Sequence, residues 1–260
     1  MSRVLQHTFK AAFEKSFAIV VVISLWEIAP RVGWIDPHSL PPFSEVVRGV
    51  SGLVFSGRIV PHLQASLLRS LAGFLLAVLV AIPLGFSLGW FKRAARIGDP
   101  LVQFSRNTPI LALYPIFILI FGLGELSKLA IIFWGTLWPI LINTIEGVKS
   151  IDALHIKTAR SMKIGQLGLF RKVIFPAALP TIATGLRLGA TRSILILVSA
   201  EMLGAKTGLG FSVFDFQQRD DIPEMYGTII VLIVVGVVTN FLLVLFEKRY
   251  HRWKATVPAN

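Results

Sequence analysis

Residues 155–180 read HIKTARSMKIGQLGLFRKVIFPAALP. Five cations, Lys157, Arg160, Lys163, Arg171 and Lys172, fall here between two strongly apolar stretches, and two prolines, Pro176 and Pro180, close the segment. On a helix turning about 100° per residue, Lys157, Arg160 and Lys163 share one arc of about 120°. Leu154, His155, Thr158, Ala159 and Met162 take the opposite arc. A helix resting on lipid shows bulkier Leu, Phe or Trp on its apolar side; a face of Ala, Thr and Met instead admits the close approach of another protein. Gly165 and Gly168 loosen the chain, and a second short helix is expected over about 166–175. Pro176 is expected to stop that helix, because proline lacks the N–H and clashes with the preceding turn. Pro180 fits the first turn of the apolar helix that follows. Residues 147–178 therefore read as helix, turn, helix and break. The plainer alternative is a loop whose cations only set topology.

The rest of the chain identifies its solvent. Of 260 residues, 54% are hydrophobic and 15% charged, with mean hydropathy +0.72, whereas soluble domains carry about 25% charged residues. Repeated runs near the roughly 20-residue length of a membrane helix make this an all-α polytopic membrane protein. Six spans are expected, about 17–34, 67–90, 100–123, 129–145, 179–203 and 226–246, in a single transmembrane domain covering 1–260. Cytoplasmic loops gather Lys and Arg. With the N-terminus inside, the inner segments hold Arg3, Lys10 and Lys15; Lys92, Arg93 and Arg96; Lys149 and the five cations above; and Lys248, Arg249, Arg252 and Lys254. The outer segments hold only Arg31, Arg48, Arg58, Lys128, Lys206 and Arg219. Both termini are expected inside, and the net charge of +12 reflects topology, so no nucleic-acid partner is needed. The first apolar run ends in WEIAPRVGW without a small-x-small cleavage site, so it reads as an uncleaved span. Outside, Ser44 after Pro41-Pro42 is expected to cap a short helix with Val46, Val47 and Val50 on one face. The chain has no cysteine, which excludes disulfides, thiol catalysis and Cys-held metal, and no metal site is expected.

The loop resembles that of ABC-importer permeases, whose signature is Glu-Ala-Ala, three residues, Gly, nine residues, Ile-x-Leu-Pro. Ala159 takes the third position; Lys157 and Thr158 stand at the Glu and first Ala, and Lys163 at the Gly. Val173-Ile174-Phe175-Pro176 stands at the closing Ile-x-Leu-Pro. The run ALPTIATGLRLGATRSILILVSAEMLGAKTGLGF (178–211) is similar to the sulfonate/nitrate/taurine branch, as are LPPFSEVV (40–47) and NTPILALYPIFILIFGLGELSK (107–128). The resemblance implies a type I, MetI-like permease with both termini inside. It implies a non-catalytic subunit of the bacterial cytoplasmic membrane, paired with a second permease copy. Cytoplasmic ATPases would carry ATP and Mg, an extracytoplasmic binding protein would deliver cargo, and the chain itself would hold no cofactor. The cargo implied is a small anion such as an alkanesulfonate, taurine or nitrate; a thiamine-precursor pyrimidine is the alternative within the branch. By the same resemblance the ATPase-coupling residues are Lys157, Thr158, Ala159, Arg160, Met162, Lys163, Gly165 and Pro176, with Ala159 packed in the ATPase groove. No G-x-x-x-x-G-K-[ST] is present; Gly204-Ala-Lys-Thr-Gly208 lacks its Gly-Lys pair and reads as a turn.

Charges inside spans face protein or a watery path. Arg187, Thr191, Arg192, Glu201 and Arg106 are the candidate path residues. Arg187 reads equally as half of an ion pair with Glu27 or Glu146, and Glu201 as a gate or interhelical bond. Gly185/Gly189 and Gly85/Gly89 are small pairs four apart that let helices close up. Pro83 is expected to kink the second span, and Pro109 and Pro115 to bend the third. Asp215, Asp220, Asp221 and Glu224 form a candidate contact for the binding protein, or a solvated loop. An ion-coupled transporter would show repeated halves and paired midplane carboxylates, and an intramembrane enzyme a His or Asp constellation; neither is visible.

Overall fold

A computed structural model describes the backbone of residues 2–251 and the side chains of 17–245. The side chains of Arg3, Lys10, Lys15, Lys248 and Arg249, and all of Arg252 and Lys254, lie outside the described residues, as does the side chain of Phe246 that ends the sixth expected span. Every regular element among the described residues is helical. In chain order they are α1 (Ser2–Arg31), α2 (Phe43–Phe55), α3 (Ile59–Trp90), α4 (Lys92–Asn107), α5 (Ile110–Phe121), α6 (Glu125–Lys149), α7 (Ala153–Ser161), α8 (Gln166–Leu169), a π-helical turn (Phe170–Ile174), α9 (Phe175–Gly204), α10 (Leu209–Gln218) and α11 (Ile222–His251).

Among the described residues, four stretches are long and apolar enough to cross a bilayer: Ile59–Trp90, Glu125–Lys149, Gln166–Gly204 and Ile222–Leu245. The third expected span is not one rod. It is α4 and α5, bent by 102° at Thr108-Pro109, and it makes a fifth crossing if the pair is counted as one. Pro109 forces the bend, since proline pushes the residue before it into extended backbone and Thr108 has ψ 126. Pro115 and Pro83, by contrast, sit inside unbroken helices, with Ser87 Oγ donating to the Pro83 carbonyl at 3.0 Å.

The expected break at Pro176 is absent. Residues 166–204 form one rod in which the π turn hands over to α9, so Pro176 occupies a first-turn position. There its missing N–H has little to lose. Pro180 then lies inside α9 rather than in its first turn.

The chain forms two compact units, residues 1–60 with 212–232, and residues 61–211 with 233–260. In the first, Trp26 of α1 stacks edge-on against Phe43 and Tyr226, and its indole donates to the Pro41 carbonyl at 3.0 Å. Ser44 does not cap α2. Its N–H and hydroxyl donate to Glu27 at 2.9 Å each, and Pro42 holds the N-cap position. Val46 and Val50 are sheltered while Val47 is exposed, so the expected three-valine face is two residues wide.

The second unit is built on close helix contacts. Residues 73, 77, 81, 85 and 89 of α3, all Gly or Ala, recur every fourth position against α6. A Cβ added at Gly85 would lie 2.6 Å from Thr144 Cβ, and one at Gly89 2.7 Å from Val148 Cβ. On the other side of α6, a Cβ added at Gly185 of α9 would lie 2.7 Å from Asn143 Cβ, and one at Gly189 2.8 Å from Ile140 Cγ1. Backbones approach this closely only where side chains are missing.

Candidate functional site

The signature segment folds as a small helix clamped at both ends. Asp152 Oδ1 accepts from Leu154 N–H at 2.8 Å and so caps the start of α7. At the far end Ile164 N–H donates to the Ala159 carbonyl at 3.2 Å and Lys163 N–H to the Arg160 carbonyl at 2.9 Å. This is the Schellman pattern, whose turning residue takes a left-handed backbone. That residue is Lys163, with φ +54. The signature places Gly at this position, where only Gly takes φ > 0 freely. Lys163 thus lies past the helix rather than on its basic arc.

Ala159 is 4% exposed and sits in this chain's own cluster with Phe86, Val148, Leu169, Ile174, Ala178 and Ile182. Its single methyl lets α7 lie close against that cluster. Phe86 and Phe170 meet edge to face with centroids 4.9 Å apart, tying α3 to the π turn. The open face of α7 carries Leu154 and Met162, 66% and 71% exposed, with Lys157, Thr158 and Arg160 also exposed. Gly165, at the N-cap of α8, and Pro176 are exposed too.

At the other end of the rod lies a polar knot. Glu201 is fully buried and accepts from Ser66 Oγ at 2.8 and 2.9 Å, from Arg69 at 2.7 Å and from Gly210 N–H at 2.9 Å. Arg69 also grips Glu125 with two parallel bonds, 2.6 and 2.9 Å, and donates to the Thr207 carbonyl and hydroxyl. Buried Lys128 reaches Glu125 at 3.3 Å and the Gly124 carbonyl at 3.2 Å. Two cations face two carboxylates, so the knot is neutral. Every nitrogen of the guanidinium is engaged. Such a site fastens chain segments and leaves no donor for a passing anion. Its product is the shape of the 205–208 turn: Gly208, at φ +132, lies so near the Glu201 carboxylate that any Cβ would collide with it. Leu209 N–H donates to Ser66 Oγ at 2.8 Å, and the Gly208 N–H to His62 Nδ1 at 3.2 Å.

The expected path residues do not form one cluster. Glu201 is in the knot, Arg106 is exposed at the end of α4, and Thr191 and Arg192 are exposed on α9. Arg187 is half-buried, with its carbonyl accepting from Thr191 Oγ1 at 3.1 Å. Glu27 is taken by Arg31 at 2.7 Å and by Ser44. Among the outer acids, Asp215 pairs with Arg219 at 2.9 Å and Asp220 with His38 at 3.1 Å; Asp221 is exposed and Glu224 half-buried. Arg69, Ser66 and Glu125 belong to no sequence-based expectation, and Lys128 was expected only as an outer-segment cation. No group of three or more His, Cys, Asp or Glu suited to a metal occurs among the described residues.

The sequence profile of the binding-protein-dependent transport system inner membrane component family matches residues 69–252, from the knot arginine through the whole clamped loop. The chain belongs to this family. A Bacillus subtilis relative named for aliphatic sulfonates transport is 35% identical, over 90% of this chain and 85% of its own. The taurine transport system permease protein of Escherichia coli is 32% identical, over 92% of this chain and 89% of its own. Among solved structures, the inward-facing MetNI methionine ABC transporter matches with TM-score 0.66 and 17% identity, over 74% of this chain and 95% of that one. That likeness concerns the fold: the permease has the helical architecture of a MetI-like membrane subunit. Within the permease, α7 and the knot stand at opposite ends of the α8–α9 rod.

Proposed function

We propose that this permease is the non-catalytic membrane subunit of an ATP-driven importer for small organic sulfonates, with alkanesulfonates and taurine as cargo. Similarity over most of the chain to relatives named for those solutes supports the cargo class. In this reading two copies sit in the bacterial cytoplasmic membrane, each with six spans and both termini inside. An extracytoplasmic binding protein approaches the side bearing Asp215, Asp220, Asp221 and Glu224. A separate ATPase binds ATP and Mg, and the permease holds no cofactor. The observation that carries the coupling role is the open face of α7: a capped helix, seated on the core by Ala159, presents Leu154 and Met162 outward among Lys157, Thr158 and Arg160. Apolar anchors ringed by charge are the usual anatomy of a docking patch. Lys157, in place of the family's Glu, makes this rim basic and calls for an acidic rim on the ATPase.

The chain contains no cysteine, so a single Leu154→Cys or Met162→Cys variant carries one thiol only. Each is expected to cross-link to the ATPase encoded beside this chain when the two are co-expressed. Leu154→Asp with Met162→Asp is expected to abolish ATP-driven taurine uptake while the protein still inserts. Uptake at the wild-type rate, with no cross-link from either position, refutes the docking role.

A further inference from the structure

Four buried side-chain polar atoms have no hydrogen-bond partner among the described residues: Ser105 Oγ, Trp134 Nε1, Thr136 Oγ1 and Trp138 Nε1. Buried polar groups are nearly always paired, so each exception calls for an explanation. Thr136 lies on the α9 side of α6, beside Gly189. The other three lie on the neighbouring helices α4 and α6. Trp134 and Trp138 stand one turn apart on α6, edge to face, with ring centroids 5.1 Å apart. Val102 of α4 packs in the same cluster as both rings, and Ser105 lies one turn beyond Val102. An indole nitrogen only donates, and a serine hydroxyl has a proton to give. Facing helices therefore carry three sealed donors and no acceptor matched to them.

Their place in the fold gives the donors a use. Ser105 lies in the last turn of α4, before the 102° break, where Arg106 is exposed and α5 begins without a capping side chain. The break lies near mid-depth of the bundle. Ile110, first residue of α5, abuts Gly135, where an added Cβ would be 3.1 Å from Ile110 Cδ1. Gly135 is ten residues into the 25-residue α6. Broken helices at mid-membrane, with a half-helix N-terminus turned to the solute, are how transporters hold anionic groups.

We infer that Ser105, Trp134 and Trp138, together with Arg106 and the start of α5, form a recognition site for the oxyanion head of an organic sulfonate. A sulfonate offers three acceptor oxygens to three donors that lack acceptors. Arg106 and the α5 N-terminus supply positive potential, and the rings of Phe117, Trp134 and Trp138 give its alkyl tail an apolar wall. The site is closed here, since all three donor atoms are sealed; relative movement of α4 and α5 at their break opens it. This inference rests on the importer reading above and adds where the cargo is recognised.

The test uses the permease reconstituted with its ATPase, in lipid nanodiscs for binding and, with the binding protein added, in proteoliposomes for uptake, with radiolabelled ethanesulfonate as probe and ethylammonium as control. Wild type is expected to bind ethanesulfonate saturably and ethylammonium not at all. Ser105→Ala removes one donor with little change of volume, and Trp138→Phe removes a second together with part of the indole ring. Each is expected to weaken ethanesulfonate binding, and to raise the KM for its uptake, by about tenfold, the scale of one lost charge-assisted hydrogen bond. Because Ser105→Ala deletes an unpaired buried group without opening a cavity, it is also expected to leave the melting temperature unchanged or raised, whereas Trp138→Phe loses buried ring surface and is expected to lower it. Weaker binding with a matching fall in melting temperature in Ser105→Ala overturns the site in favour of a packing role. Variants that bind and transport like a competent wild type overturn the site and leave the importer reading standing. A wild type that imports no sulfonate removes both.

Discussion

Arg69 holds two carboxylates that differ in one respect, and this allows a sharp prediction. Glu201 is fully buried, whereas the side chain of Glu125 is 59% exposed. The two pairs are equally close, 2.7 and 2.6 Å. Geometry alone would make them equal, but burial separates them. Removing one partner of a buried pair strands the other charge, at about 3–5 kcal/mol. An exposed pair is screened by water and salt and contributes about 1 kcal/mol or less. Arg69→Met leaves Glu201 charged among Ser66, Gly210 and Leu209, so it is expected to destabilise the permease by about 3–5 kcal/mol. For a chain of this size that is a fall in apparent Tm of roughly 6–20 °C. Glu125→Gln keeps Arg69 on Glu201 but also takes the carboxylate from buried Lys128; because Glu125 itself stands in water, the loss is expected to stay below that of Arg69→Met, at about 1–2 kcal/mol, and to shrink at high salt. In the double variant Arg69→Met/Glu201→Gln both buried charges are gone and the remaining amide still accepts from Ser66. Much of the loss is then expected to return, with a coupling of about 2 kcal/mol or more. The assay is thermal and chemical unfolding of the purified protein in nanodiscs, followed by tryptophan emission. Equal losses for Arg69→Met and Glu125→Gln, or strict additivity of Arg69→Met with Glu201→Gln, would refute the knot as a buried fastening.

Two further outcomes follow from backbone geometry. Lys163→Gly relieves a left-handed residue at the end of α7 and is expected to stabilise by about 1 kcal/mol, while a β-branched Lys163→Val loses at least as much; unfolding midpoints decide. Gly185→Ala would put a methyl 3.2 Å from the Pro139 carbonyl and 3.3 Å from Ile140 Cα, backbone atoms of α6 that cannot step aside. It is expected to cost about 1–3 kcal/mol. Gly236→Ala in α11 meets nothing within 4 Å and is expected to be neutral or stabilising in the same unfolding assay.

The membrane class, the clamped loop and the small-residue pairs were legible in the sequence because each rests on local periodicity. A helix face recurs every third or fourth residue, and Gly85/Gly89 is visible without knowing its partner. Even so, only two rungs of the α3 ladder were legible; Gly73, Ala77 and Ala81 read as ordinary apolar filling. The knot was not legible, because its members are 132 and 56 residues from Arg69. Arg69, in the apolar run LLRSLAG (67–73), was its one strong signal: a lone cation in a span needs a buried partner. Glu125 and Lys128 looked like the polar edge of a span. Pro176 misled for a different reason. The rule that proline breaks helices is right for an α-helix interior, but a π turn just upstream moved the start of α9 to the proline's own neighbour.

That correction changes the mechanics of the proposed importer. If Pro176 ended one helix and Pro180 began another, the cytoplasmic loop would hang from the span by a flexible joint, and force applied at α7 would dissipate there. Instead residues 166–204 are one rod of 39 residues, about 58 Å long at 1.5 Å per residue. A hydrocarbon core is about 30 Å thick, so nearly half of the rod stands outside it. Glu201 fixes one end in the knot only three residues from Gly204, which leaves the excess at the other end, where Arg171 and Lys172 project beside the seat of α7. Ala178 and Ile182 of the rod share a cluster with Ala159, so α7 and the rod move together or that cluster opens. Between this seat and the knot the rod lies along α6 through Gly185 and Gly189, with no glycine hinge facing solvent at either position. In this reading a push on α7 is carried along the α6 contact to the two ends of the rod, the π turn and the polar knot. The π turn has the weaker hydrogen-bond geometry, while the knot carries five side-chain bonds on one guanidinium and a buried carboxylate. In the proposed importer the π turn is therefore the expected yielding element and the knot the expected anchor.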